Sequence, residues 1–134
     1  MAAISGYATY LIDPRDSFGS QARFPNQTIL NDWPDAAVEQ LGLDARTALV
    51  TLTHDPKLDT PALAAALDSD AFYIGALGSS RTHAKRRAQL IELGFTDTQI
   101  DRIHGPVGSN IGAATPSEIA ISIMAQITQI LRTS

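Results

Sequence analysis

The run from Tyr73 to Arg87, YIGALGSSRTHAKRR, ends an apolar stretch at a glycine, passes two serines and opens into cations. Where a strand gives way to a helix, that composition suits an anion. Gly78 lets the backbone turn tightly with no Cβ in the way. Ser79 and Ser80 offer hydroxyls, and one of them can cap the helix. The first turn of that helix presents unpaired N–H groups at the positive end of its dipole. Arg81 adds a planar fork suited to phosphate or carboxylate. Lys85 shares the face of Arg81, four residues on, whereas Arg86 and Arg87 point elsewhere. The competing reading is a capped helix with a solvated basic face.

Three other stretches carry candidate chemistry. YLIDPR places Asp13 at a strand tip, where dinucleotide folds put an acid that accepts hydrogen bonds from a ribose diol, with Arg15 close to a phosphate. Asp-Pro is also a common turn. THDPKLD places His54 and Asp55 at another strand tip, where His54 can touch a ligand or move a proton near neutral pH. Asp59 follows at a spacing too loose for a metal site, and capping is the plainer role for both acids. GPVGSNIGAATPSE sets Gly105, Gly108 and Gly112 before a capped helix, a second backbone cradle with Thr115 and Glu118 at the helix start. Its alternative is a connecting loop. His83 and His104 read as surface or partly buried residues. A triad of Ser79, His54 and Asp55 has no G-x-S-x-G elbow to support it.

The elements that must hold these residues alternate in type. Strands are expected at Tyr7–Ile12, Thr28–Leu30, Ala48–Thr53, Phe72–Leu77 and Ile103–Val107. Helices are expected at Pro34–Leu41, at Ala62–Leu67 with Pro61 as its first residue, and at Arg81–Leu93 with Gly94 as its stop. Thr96 and Gln99 form a capping box, as do Thr115 and Glu118. Beyond the second box Ile119, Ile123, Ile127 and Ile130 recur at helical spacing. Strand–helix alternation means βα units, hence an α/β fold of three layers with a mostly parallel sheet.

Bulk properties narrow the function classes. The 134 residues suit one domain spanning 1–134, and no repeat or linker divides them. A net charge of −4 argues against coating nucleic acid. No cysteine is present, which removes disulfides, thiolate metal sites and a cysteine nucleophile, and suits a cytoplasmic setting. The start of the sequence carries no basic leader, and the apolar run Ile119–Leu131 is too short and too polar to span a bilayer, so no membrane partner is expected.

One expected element is missing. Only six residues precede Tyr7, too few for the first strand and G-x-G-x-x-G loop of a dinucleotide fold. In the strand order 3-2-1-4-5-6 that strand is central. The sheet must therefore be rearranged, or be completed by a partner chain, since open strand edges invite pairing.

DPR, RFP, LTHDPKLD, AFYIGALGSSRT, RIHGPVG and IGAATPSEIAISI occur in an order and spacing that resembles the C-terminal domain of the XdhC/CoxI family, accessory factors of xanthine dehydrogenase and carbon monoxide dehydrogenase. The resemblance runs from Tyr7 onward. It implies a Rossmann-like fold and a role in binding molybdenum cofactor and aiding its sulfuration and insertion into a client molybdoenzyme. By position it assigns the ligand-facing loops to Asp13 and Arg15; to His54, Asp55 and Asp59; to Gly75, Gly78, Ser79 and Arg81; and to Gly108, Gly112, Thr115, Pro116 and Glu118. Members usually read PIGLDIGARTP in the last loop, where this chain has Ser109, Asn110 and Ala114 and so lacks an acid and an arginine.

Three functions follow as expectations. The first is a non-catalytic module holding a molybdopterin or nucleotide phosphate. The second is an NAD(P)-binding oxidoreductase-like domain, against which the missing glycine fingerprint counts. The third is an assembly module without a ligand, expected at least to dimerise, with exchange of elements between chains as one route.

Overall fold

The computed structural model describes residues 7–8, 10–12, 28–30, 34–52, 56–109 and 111–133. Strands β1 (Tyr10–Ile12) and β2 (Thr28–Leu30) precede helix α1 (Pro34–Leu41). Then come β3 (Ala48–Thr51), α2 (Pro56–Leu67), β4 (Tyr73–Ala76), α3 (Ser80–Glu92), α4 (Asp97–Ile100), β5 (Ile103–His104) and α5 (Pro116–Thr133). The expected α/β alternation is present, and every ladder among the described residues is parallel.

β4 lies between β3 and β5 and is buried along its whole length. Side chains alternate across it, as the pleat requires. Ile74 and Ala76 face one layer with Leu49 of β3, Ile103 of β5, Leu63 and Leu67 of α2 and Leu90 of α3. Tyr73 faces the other, with Ala48, Val50, Val107 and, from α5, Ile123 and Ile127. Apolar residues on both faces explain why YIGA reads as an uninterrupted hydrophobic run. Gly75 has no room for a side chain: a Cβ there would lie 2.5 Å from Val107 Cγ2 and 2.9 Å from Tyr73 Cε1.

Among the described residues the strands form two separate sheets, β1–β2 and β3–β4–β5. The order 3-2-1-4-5-6 with its first strand removed divides at the same point. Phe72 and Leu77 donate their N–H groups to the carbonyls of Thr47 and Thr51 at 3.0 and 2.9 Å, which commits those residues to β4. Ala48 and Val50 therefore aim their backbone groups at the opposite edge of β3, which carries no ladder among the described residues.

Several element boundaries differ from the sequence expectation, those of α2 and β5 most instructively. Helix α2 begins at Pro56, not beside Pro61. Pro56 takes the first helical position, and Pro61, which has no N–H, removes one backbone bond from within the helix. The early start buries Leu58, Asp59 and Thr60. Strand β5 stops at His104, before Gly105 and Pro106, yet Val107 still donates to the Ala76 carbonyl at 3.1 Å and keeps the chain beside β4.

Helix α5 is fastened to the sheet through one glutamine. Gln126 Oε1 accepts from Tyr73 Oη at 2.5 Å and from the Gly108 N–H at 2.9 Å. Gln126 Nε2 donates back to the Gly108 carbonyl at 3.3 Å. The Tyr73 ring stacks on His104, centroids 4.9 Å apart and planes 8° from parallel. Burial pushes the Tyr73 hydroxyl up to about 12, only partly opposed by the Gly108 N–H.

Two outcomes are expected. Leu90→Ala, at a fully buried site between α3 and the sheet, costs about 2–5 kcal/mol in urea unfolding. Tyr73→Phe costs about 1 kcal/mol near neutral pH through the lost Gln126 bond. Because the folded state holds the Tyr73 proton more tightly than the unfolded chain, its contribution is complete below pH 10 and is lost as pH rises towards 12. Denaturant midpoints of the two proteins should therefore converge across that window, and a constant gap contradicts the assignment.

Candidate functional site

The carboxyl end of β4 leads straight into the Gly78 turn. Gly78 has φ +138°, a conformation L side chains rarely adopt, and a Cβ there would lie 3.1 Å from Thr82 Cγ2. Ser79 is the N-cap of α3, its hydroxyl accepting from the Thr82 N–H at 3.2 Å. Ser80 and Arg81 follow in the first helical turn with exposed side chains. Their N–H groups lie where an α-helix has no internal carbonyl partners. The stop and start signals read from GSSR thus correspond to a real turn, with Ser79 as the capping serine.

The opposite wall is the loop between β5 and α5. Gly108 has φ +102°, and a Cβ there would collide with Ser122 Oγ on α5. The Ser109 N–H donates to the Ser122 carbonyl at 3.0 Å, and Gln126 holds Gly108 by both ends of its amide. Between this loop and Leu77 lies a cleft of about 410 Å³. Leu77, Pro106, Val107, Ile111 and Ile119 give it apolar walls, and Ser109 and Ser122 supply its side-chain hydroxyls. Among the described residues, no charged side chain lines it. A second cavity, of about 330 Å³, lies beside Val38, Gly42 and Ser69, at the other end of the sheet. Ligands of open parallel sheets occupy the carboxyl end, which singles out the first cleft.

Two of the sequence-predicted residues, Gly108 and Gly112, line this cleft. Gly78 to Arg81 continue directly from its Leu77 wall. Thr115 is exposed at the start of α5 and is taken up in capping: its hydroxyl accepts from the Glu118 N–H at 3.2 Å. Glu118 Oε1 accepts from the N–H groups of Ala114 and Thr115 at 2.9 and 3.0 Å, and these bonds hold its carboxyl below the usual range. Asp13, Arg15, His54 and Asp55 lie outside the described residues. Lys85 is exposed on α3. Arg87 turns away to Asp97 and Asp101, at 3.0 and 2.8 Å. The described residues contain no group of three acidic or histidine side chains that could hold a metal ion. They contain no helix long and apolar enough to cross a membrane.

Sequence reasoning missed Arg86. Its guanidinium is only 5% exposed and lies beneath the Gly78 turn, where Nη2 donates to the Leu77 carbonyl at 3.0 Å. Asp59 Oδ2, also buried, is 3.7 Å from Nη2. Helical spacing carried the signal: Arg86 is four residues after Thr82 and seven after Ser79, on the face that includes the cap. It also missed Gln126 and Ser122, whose roles depend on contacts across the fold. Beside the turn, the His83 ring fills the space a Gly105 side chain would need. Burial, then the charges of Arg86 and Arg87, lower the pKa of His83. Burial alone lowers that of His104.

A family model described as the XdhC Rossmann domain matches residues 1–127. The molybdenum cofactor insertion chaperone PaoD of Escherichia coli is 36% identical over 102 residues, which is 76% of this chain and 31% of PaoD. A Bacillus subtilis protein described as a probable xanthine dehydrogenase component is 28% identical over 130 residues, 96% of this chain and 37% of that protein. A crystal structure described as a xanthine dehydrogenase from Bacillus halodurans superposes with a TM-score of 0.81 at 30% identity, covering 98% of this chain and 38% of that one. The chain therefore spans about a third of the length of these relatives. With nearly all of its residues matched by the family model, and its α/β fold shared with a solved structure, the chain belongs to the XdhC family as that family's Rossmann domain.

Proposed function

We propose that this chain is a molybdenum cofactor-binding accessory module that aids sulfuration and insertion of the cofactor into a xanthine dehydrogenase-type oxidoreductase. The observation that carries this reading is the cleft of about 410 Å³ whose Leu77 wall continues into the Gly78–Arg81 turn. A molybdopterin is a flat heterocycle with a terminal phosphate. Apolar walls without charged side chains suit the ring, and the amides and guanidinium of the turn suit the phosphate. The name of the PaoD relative agrees with such a cargo.

Within this reading Gly78, Ser79, Ser80 and Arg81 hold the phosphate, while Gly108 and Gly112 let the opposite loop approach the ring. Thr115 shapes that loop by capping α5. Asp13, Arg15, His54 and Asp55, which the family resemblance assigns to the ligand, complete the set in this reading. The whole of 1–134 works as one unit in the cytoplasm, handing its cargo to a client molybdoenzyme. The edge of β3 that carries no ladder among the described residues supports association of two copies.

Titration of the purified chain with molybdopterin should give saturable binding, weakened about tenfold or more by Arg81→Ala, the effect of removing a charge-assisted hydrogen bond. Absence of binding at saturating cofactor, or an unchanged affinity in the variant, contradicts the proposal. Tight quenching by NADH or NADPH instead assigns the cleft to a nicotinamide cofactor. Light scattering should return a dimer mass, and a clean monomer removes the association of copies.

A further inference from the structure

The seam between α2 and α3 changes character along its length. Near the amino end of the sheet it is apolar, with Leu63 and Leu67 against Leu90. Towards the carboxyl end it becomes polar. Thr60 Oγ1 donates to Gln89 Oε1 at 2.8 Å, and Asp59 faces Arg86 one turn closer to the Gly78 turn. Both members of that pair are buried, at 3% and 5% exposure. A buried ion pair is a costly way to join two helices, and apolar residues of similar size would often do as well. Its placement therefore calls for a reason beyond stability.

Arg86 Nη2 lies 3.7 Å from the point a Gly78 Cβ would occupy. Nη1 is buried and has no hydrogen-bond partner among the described residues. A full positive charge thus sits directly under the turn that the proposed function assigns to phosphate, adding to the dipole of α3. Asp59 opposes it from 3.7 Å. Little water reaches either group, so their fields are weakly screened compared with that of exposed Arg81.

Building on the phosphate site proposed above, we infer that the buried Asp59–Arg86 pair sets the anion affinity of the Gly78–Arg81 turn, Arg86 drawing the anion from beneath and Asp59 attenuating that pull. Arg86 is here a positioning residue: it holds the Leu77 carbonyl and supplies field without touching the ligand.

Electrostatic and purely structural roles differ in sign. Breaking a buried pair from either side destabilises the fold, so a structural strut makes both variants bind worse. A tuning pair makes them diverge. Inorganic pyrophosphate is the probe, titrated calorimetrically into the full chain, with melting temperature measured in parallel. Asp59→Asn is expected to bind pyrophosphate several-fold more tightly despite a lower melting temperature. Arg86→Gln, which keeps a donor for the Leu77 carbonyl, is expected to bind about tenfold more weakly, while Arg86→Lys restores most of the affinity. The Arg86→Gln deficit should persist at high salt, where that of Arg81→Ala fades.

If Asp59→Asn weakens binding in step with its melting temperature, or Arg86→Gln leaves affinity unchanged, the inference is overturned while the phosphate site stands. If Asp59→Asn does not fold, Lys rescue against Gln decides, and equal affinities of those two variants overturn it. A wild-type chain that does not bind pyrophosphate overturns the phosphate site itself.

Discussion

Strand β4 carries the constraint on which the rest depends. It is buried on both faces, so its backbone groups must find partners along both edges, and β3 and β5 supply them in parallel register. Parallel neighbours need crossovers: α2 and α3 supply them and cover one face, while α5, which follows β5, covers the other. The same burial decides where chemistry is possible. All three strands point their carboxyl ends the same way, and the turn after β4 emerges in the middle of that end.

Close approach of backbone is the second condition, and it explains why glycines gather there. Gly75 lets Tyr73 and Val107 close over β4, which brings the Gly108 loop against the sheet. Gly108 in turn lies on Ser122 of α5, with Gln126 holding it from the side. The loop that forms one wall of the cleft is thus set by contacts to both β4 and α5. The other wall is set by Arg86 from below through the Leu77 carbonyl. Both walls are braced by polar side chains of the fold, Ser122 and Gln126 on one side and Arg86 on the other.

Local signals made much of this legible. The capping box at Thr96 and Gln99, the Ser79 cap and the stops at Gly42 and Gly94 are short-range effects, fixed by residues within a turn of one another. The uninterrupted apolar run at Phe72–Leu77 marked a strand there, which the structure has as β4. Among the described residues the strands fall into β1–β2 and β3–β4–β5, where the sequence leaves a gap, a rearranged sheet and completion by a partner chain all open. What could not be read was long-range: Tyr73 to Gln126 spans 53 positions, and Asp59 meets Arg86 only because α2 and α3 pack side by side. The start of α2 was misread for a local reason, because two prolines five residues apart both satisfy the rule for a first helical position.

The helix starts at the two walls differ in charge, and that difference orients any anionic ligand. At α5 the N–H groups of Ala114 and Thr115 are already taken by Glu118, whose carboxyl is held ionised by those same bonds. That end is both occupied and negative. At α3 the cap comes from a neutral serine hydroxyl, Arg81 stands exposed in the first turn, and Arg86 lies beneath it. A negative group is repelled from the first start and drawn to the second, although both belong to helices of ample length. Under the proposed function, the part of the ligand left towards α5 would be uncharged and meet Ile111, Ile119 and Val107. The charge distribution of the chain thus favours one orientation of a molecule with a flat apolar body and an anionic tail: tail at Gly78, body against the Gly108 loop.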